Sequence, residues 1–297
     1  MGNFRFKQFT INQENSAMKV NTDGVLLGAW MSLPDTVPVP NKSPSGALRL
    51  LDIGTGTGVI ALMAAQRMAE WSGRCAVREP GSEPGENTPG NMPGADKTCK
   101  VVEIDALETD VDSYRDAAGN FAASPWGDPA GNIKLTALHG ALQAYPPLFG
   151  GDKYDYIFSN PPYFIDSLKS PQESRSRARH TDTLTQSELI KYTGILLKEG
   201  GRFAVILPAA EGEAFLKKTA FILHSVREQK AGPVLHPVRL CKVRTTAQKS
   251  PKRYLMEFLM AESTLSLPLL EQELVMTCAG AYTPAYKDLT GAFYLNF

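Results

Sequence analysis

The stretch Leu50-Leu51-Asp52-Ile53-Gly54-Thr55-Gly56-Thr57-Gly58-Val59 passes from an apolar run through three alternate glycines into a helical pattern of Ala, Leu and Met. Glycine reaches backbone angles closed to other residues and lets the chain approach a ligand, so the stretch reads as strand, ligand loop and helix start. A tight strand-to-helix turn is the plainer alternative. Outward from this loop, short apolar strands are expected at 48–53, 100–104, 133–138, 154–159, 202–207 and 254–260, with helical stretches at 59–70 and 107–122 between them. Thr185-Gln186-Ser187-Glu188 has capping-box spacing, and Gly200-Gly201 is expected to end the helix it opens. Alternation of this kind predicts an α/β fold, a doubly wound Rossmann-like sheet with helices on both faces.

Two segments depart from that rhythm. Residues 72–98 hold five Gly and four Pro without periodicity and read as a flexible surface insertion. Residues 1–46 are set apart as an N-terminal extension, ending in a Pro-rich loop, in which Phe4 to Ile11 predicts a small hairpin ahead of the α/β domain at 47–297.

The loop spacing is G-x-G-x-G, which departs from the dinucleotide G-x-G-x-x-G, and Asp52 stands two residues before the first glycine. An acid there suits a cationic ligand better than a pyrophosphate. S-adenosyl-L-methionine carries an ammonium and a sulfonium, so Asp52 is expected to hold its methionine end, directly or through water, with Gly54, Gly56 and Gly58 lining the loop. Val101-Val102-Glu103-Ile104-Asp105 places a carboxylate at the end of the second strand, where ribose hydroxyls need an acceptor. Glu103 is the preferred ribose ligand and Asp105 the second choice, either being otherwise a solvated charge. The interval from Gly58 to Glu103 exceeds the usual spacing of roughly twenty residues, and the insertion accounts for the excess.

Charge and composition bound the partners. The chain has 297 residues, 43% of them hydrophobic, and 31 basic against 31 acidic side chains. Nucleic acid must therefore be met by local basic patches, because the whole-molecule field supplies no attraction. No apolar run approaches the ~18 residues of a membrane span, so no membrane association and a cytoplasmic location are expected. Four scattered Cys and four scattered His indicate neither a metal site nor a disulfide framework.

After the strand at 154–159 comes Asn160-Pro161-Pro162-Tyr163-Phe164. The prolines cannot donate ladder hydrogen bonds, so the strand stops and a rigid loop opens at the carboxyl edge of the sheet, beside the glycine loop. An amine attached to an aromatic base is a poor nucleophile because its lone pair is delocalised. The Asn160 side-chain oxygen and the Pro161 carbonyl could accept both of its N–H bonds and favour a pyramidal nitrogen, while Tyr163 stacks on the flat base. Phe164 serves the same base or the core.

With these residues in place the chain resembles the class I methyltransferases, and more closely the bacterial tRNA1(Val) adenine-N6 methyltransferase family. The likeness is carried by Phe6-Lys-Gln-Phe-Thr-Ile11, Met18 to Trp30, the loop at 52–58, Ser124-Pro-Trp126, the Asn160 tetrapeptide, Ala178-Arg-His-Thr181 and Tyr282 to Thr290. It implies N6 methylation of the adenosine 3′ of the anticodon in a valine tRNA, with Thr22 and Asp23 near the cofactor. Such enzymes often carry an acid after the third strand, whereas His139-Gly140-Ala141-Leu142 has none, so adenine contacts there would be backbone or apolar. For the tRNA, the basic candidates are Arg175, Arg177, Arg179 and His180 after the tetrapeptide, and Lys242, Arg244, Lys249, Lys252 and Arg253. Each run is otherwise a solvated face.

Two other readings stand beside this one. Release-factor glutamine methyltransferases share the tetrapeptide but carry a helical domain before the loop, and the fifty residues ahead of Asp52 are strand-like and Pro-rich. The other is an inactive fold that only binds RNA, against which the complete set of loop and tetrapeptide residues argues.

Overall fold

The computed structural model describes residues 2–34, 46–76, 101–145, 151–162, 184–229 and 232–296, without the side chains of 73–76, 227 and 229. A hairpin of β1 (Asn3–Arg5) and β2 (Thr10–Asn12) precedes α1 (Thr22–Trp30). Then follow β3 (Leu48–Ile53), α2 (Val59–Ala76), β4 (Val102–Glu108), α3 (Val111–Ala123), β5 (Ile133–His139) and β6 (Tyr154–Ser159). The remainder is α4 (Gln186–Leu196), β7 (Leu197–Pro208), α5 (Ala209–Gln229), β8 (Pro233–Arg244), β9 (Arg253–Glu262), β10 (Leu270–Val275), β11 (Thr277–Cys278), β12 (Ala281–Tyr282) and α6 (Pro284–Thr290).

Eight strands form the main sheet in the order β10-β8-β9-β7-β6-β3-β4-β5, and β9 alone runs against the others. Side chains alternate across it. Leu50 and Ala204 enter the core layer shared with α1, α2, α3 and the N-terminal hairpin, while Leu51 and Val205 enter the layer shared with α4 and α5. Burial on both faces explains why the strands read as continuous apolar runs rather than alternating ones.

The chain winds from β3 outward through β4 to β5, then crosses back to β6 on the other side of β3. That reversal opens a crevice beyond the carboxyl ends of β3 and β6. Among the described residues, no helix is long and apolar enough to cross a membrane.

Several sequence expectations shift. Helix α2 continues through Ala76, so the stretch assigned to the insertion begins with helix, and its residues from 77 onward lie outside the described ones. The capping box is present, with Glu188 N donating to Thr185 Oγ1 at 3.1 Å and Thr185 N to Glu188 Oε2 at 2.8 Å. Gly200-Gly201 does not end that helix. The helix stops at Leu196, and Gly200, at φ 79°, lies where the register of β7 against β6 jumps from Leu197 to Arg202. Sequence reading also missed β8 and β10.

Candidate active site

Ile53 closes β3 opposite Leu107 on one side and Ser159 on the other, and the Ser159 hydroxyl donates to Ile53 O at 2.7 Å. Beyond Ile53 the glycine loop folds over the end of β4. Gly54 N and Thr55 N both donate to Leu107 O, at 2.9 and 3.1 Å, and Gly56 N donates to Glu108 Oε2 at 2.8 Å. Gly54, Gly56 and Gly58 have φ of 71°, 57° and 82°, in the left-handed region that glycine alone visits without strain. At Gly58 space is also closed, since a Cβ there would lie 2.5 Å from the Phe121 ring.

Asp52 is fully buried directly below this loop. Its Oδ2 accepts from the Thr55 hydroxyl at 2.7 Å, and its Oδ1 has no hydrogen-bond partner. Burial pushes the carboxyl up to about 7; the Thr55 hydroxyl and Ala61 amide pull it back in part, and the Glu108 charge adds to the rise. A buried carboxyl with one unused oxygen beside a backbone loop is a ready acceptor for a cation.

Glu103 does not share this position. Strand β4 runs on to Glu108, and Glu103 sits opposite Arg49, near the amino end of the sheet, with its carboxylate 3.5 Å from the Arg49 guanidinium. Asp105 is likewise taken up, accepting from Arg49 at 3.1 Å and from the Tyr154 hydroxyl at 2.6 Å. The acid at the carboxyl edge is Glu108, which besides Gly56 N accepts from Thr109 N and Asp110 N, both at 2.9 Å. Its sequence signal was the helix cap. Asp110 accepts from Ser113 N at 2.8 Å and starts α3, so the strand must end just before it, at Glu108. Helix α3 also fastens the N-terminal segment to the site, because Asn120 accepts from Asn12 N at 2.7 Å and donates to Thr57 O at 2.9 Å.

Helix α1 borders the same crevice. Asn21 caps it by accepting from Gly24 N at 3.0 Å, and Gly24 packs against Val59 and Ile60, which brings the first turn of α1, with Thr22, to the start of α2. Asp23, next along the helix, holds the Arg253 guanidinium at 2.6 Å, so a residue assigned to the cofactor and one assigned to RNA meet in an ion pair. The end of α1 is pinned too, with Ser32 N donating at 2.9 Å to the buried Glu257, which also binds Arg202 and Arg239.

Asn160 is half-buried at the carboxyl end of β6, Pro161 is buried and Pro162 is exposed. Tyr163, Phe164, Arg175, Arg177, Arg179 and His180 lie outside the described residues. The second basic run is resolved into a hairpin. Lys242 and Arg244 end β8 in ion pairs with Glu271 and Glu273 of β10, at 2.8 and 2.9 Å. Lys249 and Lys252 are exposed on the connection to β9. Because Arg244 and Arg253 lie at the carboxyl ends of the parallel strands, this tip shares an edge with Asn160 and the glycine loop.

No family model matches the chain. It is 35% identical over 296 residues to the tRNA1(Val) (adenine(37)-N6)-methyltransferase of Flavobacterium johnsoniae, with 99% of both chains covered. A relative of the same description from Bacteroides thetaiotaomicron is 36% identical over 293 residues, covering 99% of this chain and 97% of the relative. Among solved structures, a predicted O-methyltransferase from Agrobacterium tumefaciens superposes with a TM-score of 0.54 at 12% identity, over 91% of this chain and 96% of that one. The methyltransferase subunit of a type I restriction-modification system from Streptococcus thermophilus gives 0.51 at 14% identity, over 93% of this chain and 52% of that one. At these identities the two structures speak for the fold alone.

Proposed function

The chain belongs to the tRNA1(Val) (adenine(37)-N6)-methyltransferase family, and from that premise we infer that it methylates the exocyclic N6 of the adenosine immediately 3′ of the anticodon in valine tRNA, with S-adenosyl-L-methionine as donor. The observation that carries this reading is the meeting of Asn160 with the glycine loop across the Ile53–Ser159 pair, at the crevice where the strand order reverses.

The residues present fit the donor. Asp52 Oδ1, buried without a partner, would accept from the ammonium of the methionine end. Glu108 replaces Glu103 as the acceptor for ribose hydroxyls, and the backbone of Gly54, Gly56 and Gly58 leaves open space above the loop at the first two glycines. Thr22, on the capped end of α1, borders the methionine end. The donor supplies a methyl group that is already activated, so what the protein must add is position. Asn160 Oδ1 and the Pro161 carbonyl take the two N–H bonds of the target amine, and the prolines hold those acceptors still. Tyr163 stacks on the extruded base, Phe164 flanks it, and Arg177, Arg179, Lys249 and Lys252 meet phosphates. A base in a tRNA loop must be splayed out of its stack to reach such a site. The enzyme works in the cytoplasm, with 47–297 as its catalytic body and 1–46 bracing the cofactor side.

Incubating the protein with labelled donor and total tRNA, then digesting to nucleosides, tests this. N6-methyladenosine recovered from valine tRNA is the expected product. Label found instead on a release-factor glutamine, or on no substrate, would sink the reading.

A further inference from the structure

Beyond the tip that carries Lys249 and Lys252, the chain builds a second, smaller device on the same edge. Strand β10 ends at Val275, opposite Arg244, and the next residues continue along the hairpin tip, with Met276 N donating to Arg244 O and Thr277 N to Thr245 O, both at 2.9 Å. Strands β11 and β12 then pair Thr277 with Tyr282 around Ala279 and Gly280, whose φ of 49° and 82° give the doubly left-handed turn suited to a two-residue hairpin. Only glycine adopts such angles freely, so Ala279 holds a backbone shape that costs about 1 kcal/mol.

This hairpin presents one ring. Tyr282 is 46% exposed, and it stacks on Tyr286 with centroids 4.9 Å apart and planes 25° from parallel. Tyr286 is buried, and Thr283 between them caps α6 by accepting from Tyr286 N at 3.2 Å while donating to Val275 O at 2.6 Å. The exposed ring is therefore backed by a second ring on a capped helix, which fixes its plane in advance. Beside it, residues 245–252 contain two exposed lysines and no acid.

We propose that Tyr282 is a stacking platform for an unpaired base of the same tRNA loop, and that Lys249 and Lys252 hold the adjoining phosphates. A flat, pre-oriented aromatic next to unopposed positive charge is the combination that single-stranded nucleic acid requires, with stacking indifferent to base identity and charge directed to the backbone. The spacing suits the site already described. Strands lie about 4.8 Å apart, so the tip between β9 and β8 is displaced from the end of β6 by roughly 10–15 Å along one edge, and the end of β10, from which the Tyr282 hairpin continues, by roughly 20 Å. A loop whose target adenosine enters at Asn160 thus runs along this edge and passes a nucleotide a few positions away over Tyr282. This rests on the functional reading above and adds to it the position of a second nucleotide.

The test measures binding of the anticodon stem-loop RNA of valine tRNA to the full chain, with Tyr282 replaced by Phe, Leu and Ala. Tyr282→Phe should bind as the parent does, while Tyr282→Leu and Tyr282→Ala bind about tenfold more weakly. The loss should fall on KM for the RNA rather than on kcat, and the Kd for S-adenosylmethionine should stay within twofold. Leucine still covers Tyr286 but offers no flat face, so a Leu variant that binds like the parent, or a Phe variant as weak as Ala, overturns the proposal. A Lys249→Gln, Lys252→Gln double variant should also reduce the slope of log affinity against log salt, by about 1.4 for two phosphate contacts to a single strand; an unchanged slope removes the lysines from it. A parent protein that neither binds nor methylates this RNA would instead sink the functional reading, so the two failures are distinguishable.

Discussion

Asp52 makes the binding of a cationic cofactor depend on pH in a way that can be worked out beforehand. Burial pushes its carboxyl up to about 7, so below that pH the free protein holds a neutral acid where the ligand's ammonium needs a carboxylate. Binding must then expel a proton. If only the ionised form binds, affinity falls tenfold for each pH unit below about 7, and from pH 7.5 down to pH 5 the total loss is roughly hundredfold, or about 2.7 kcal/mol. Calorimetry in two buffers of different ionisation enthalpy reads the released proton directly. It should be about 0.9 per cofactor at pH 6 and about 0.5 at pH 7. Asp52→Asn mimics the neutral acid, so its affinity should be flat over the same range and no higher than the level the parent reaches at pH 5. The fold responds with the opposite sign. The unfolded chain releases this proton from pH 4 upward while the folded chain retains it to about 7, so stability of the free protein falls as pH rises across that window and stays level above it. Asp52→Asn should accordingly stabilise the free protein at pH 8, by up to about 2–4 kcal/mol after allowing for the 3.8 reference. A parent protein that takes up S-adenosylmethionine at pH 6 with no proton release, or an Asn variant with the parent's pH slope, would show that Asp52 faces no cation.

Three further outcomes follow from the site. Glu108→Ala should weaken cofactor binding at least tenfold by calorimetry, whereas Glu103→Ala, which removes a partner of Arg49 near the far edge, should leave it unchanged; the reverse order would restore the earlier assignment. Gly58→Ala forces a left-handed alanine against Phe121, and its melting temperature should drop by the equivalent of about 2–4 kcal/mol, so a variant as stable as the parent contradicts the packing described. Asn160→Ala should lower single-turnover methylation about 10²–10³-fold with cofactor affinity kept within tenfold, while Asn160→Asp, which retains an oxygen, keeps markedly more activity; equal inactivity would mean that the amide N–H, rather than the oxygen, is what the base needs.

The sequence by itself determined the elements whose signals are local. Three alternate glycines after Leu50 to Ile53 specified a strand, a left-handed loop and a helix, because few residues but glycine tolerate those angles. Two prolines after Ser159 ended β6 at the predicted residue, because proline leaves the ladder without donors. Thr185 and Glu188 opened α4 as their spacing required. Tertiary structure decided everything that depends on where a strand stops and on who stands opposite. The identity of the edge acid turned on the length of β4, and apolar alternation does not mark a strand's last residue; only the pairing of Ile53 with Leu107 and the cap at Asp110 put Glu108 at the loop and Glu103 beside Arg49. Asp23 and Arg253 are 230 positions apart, and only folding brings them to 2.6 Å and turns two candidate ligand residues into an ion pair. Strands β8 and β10 went unseen for the same reason, since Lys242 and Arg244, read as part of a basic run, meet Glu271 and Glu273 of the neighbouring strand only in the folded sheet. Local conformational preference is written residue by residue, whereas charge and function at this edge belong to pairs that meet only when the sheet closes.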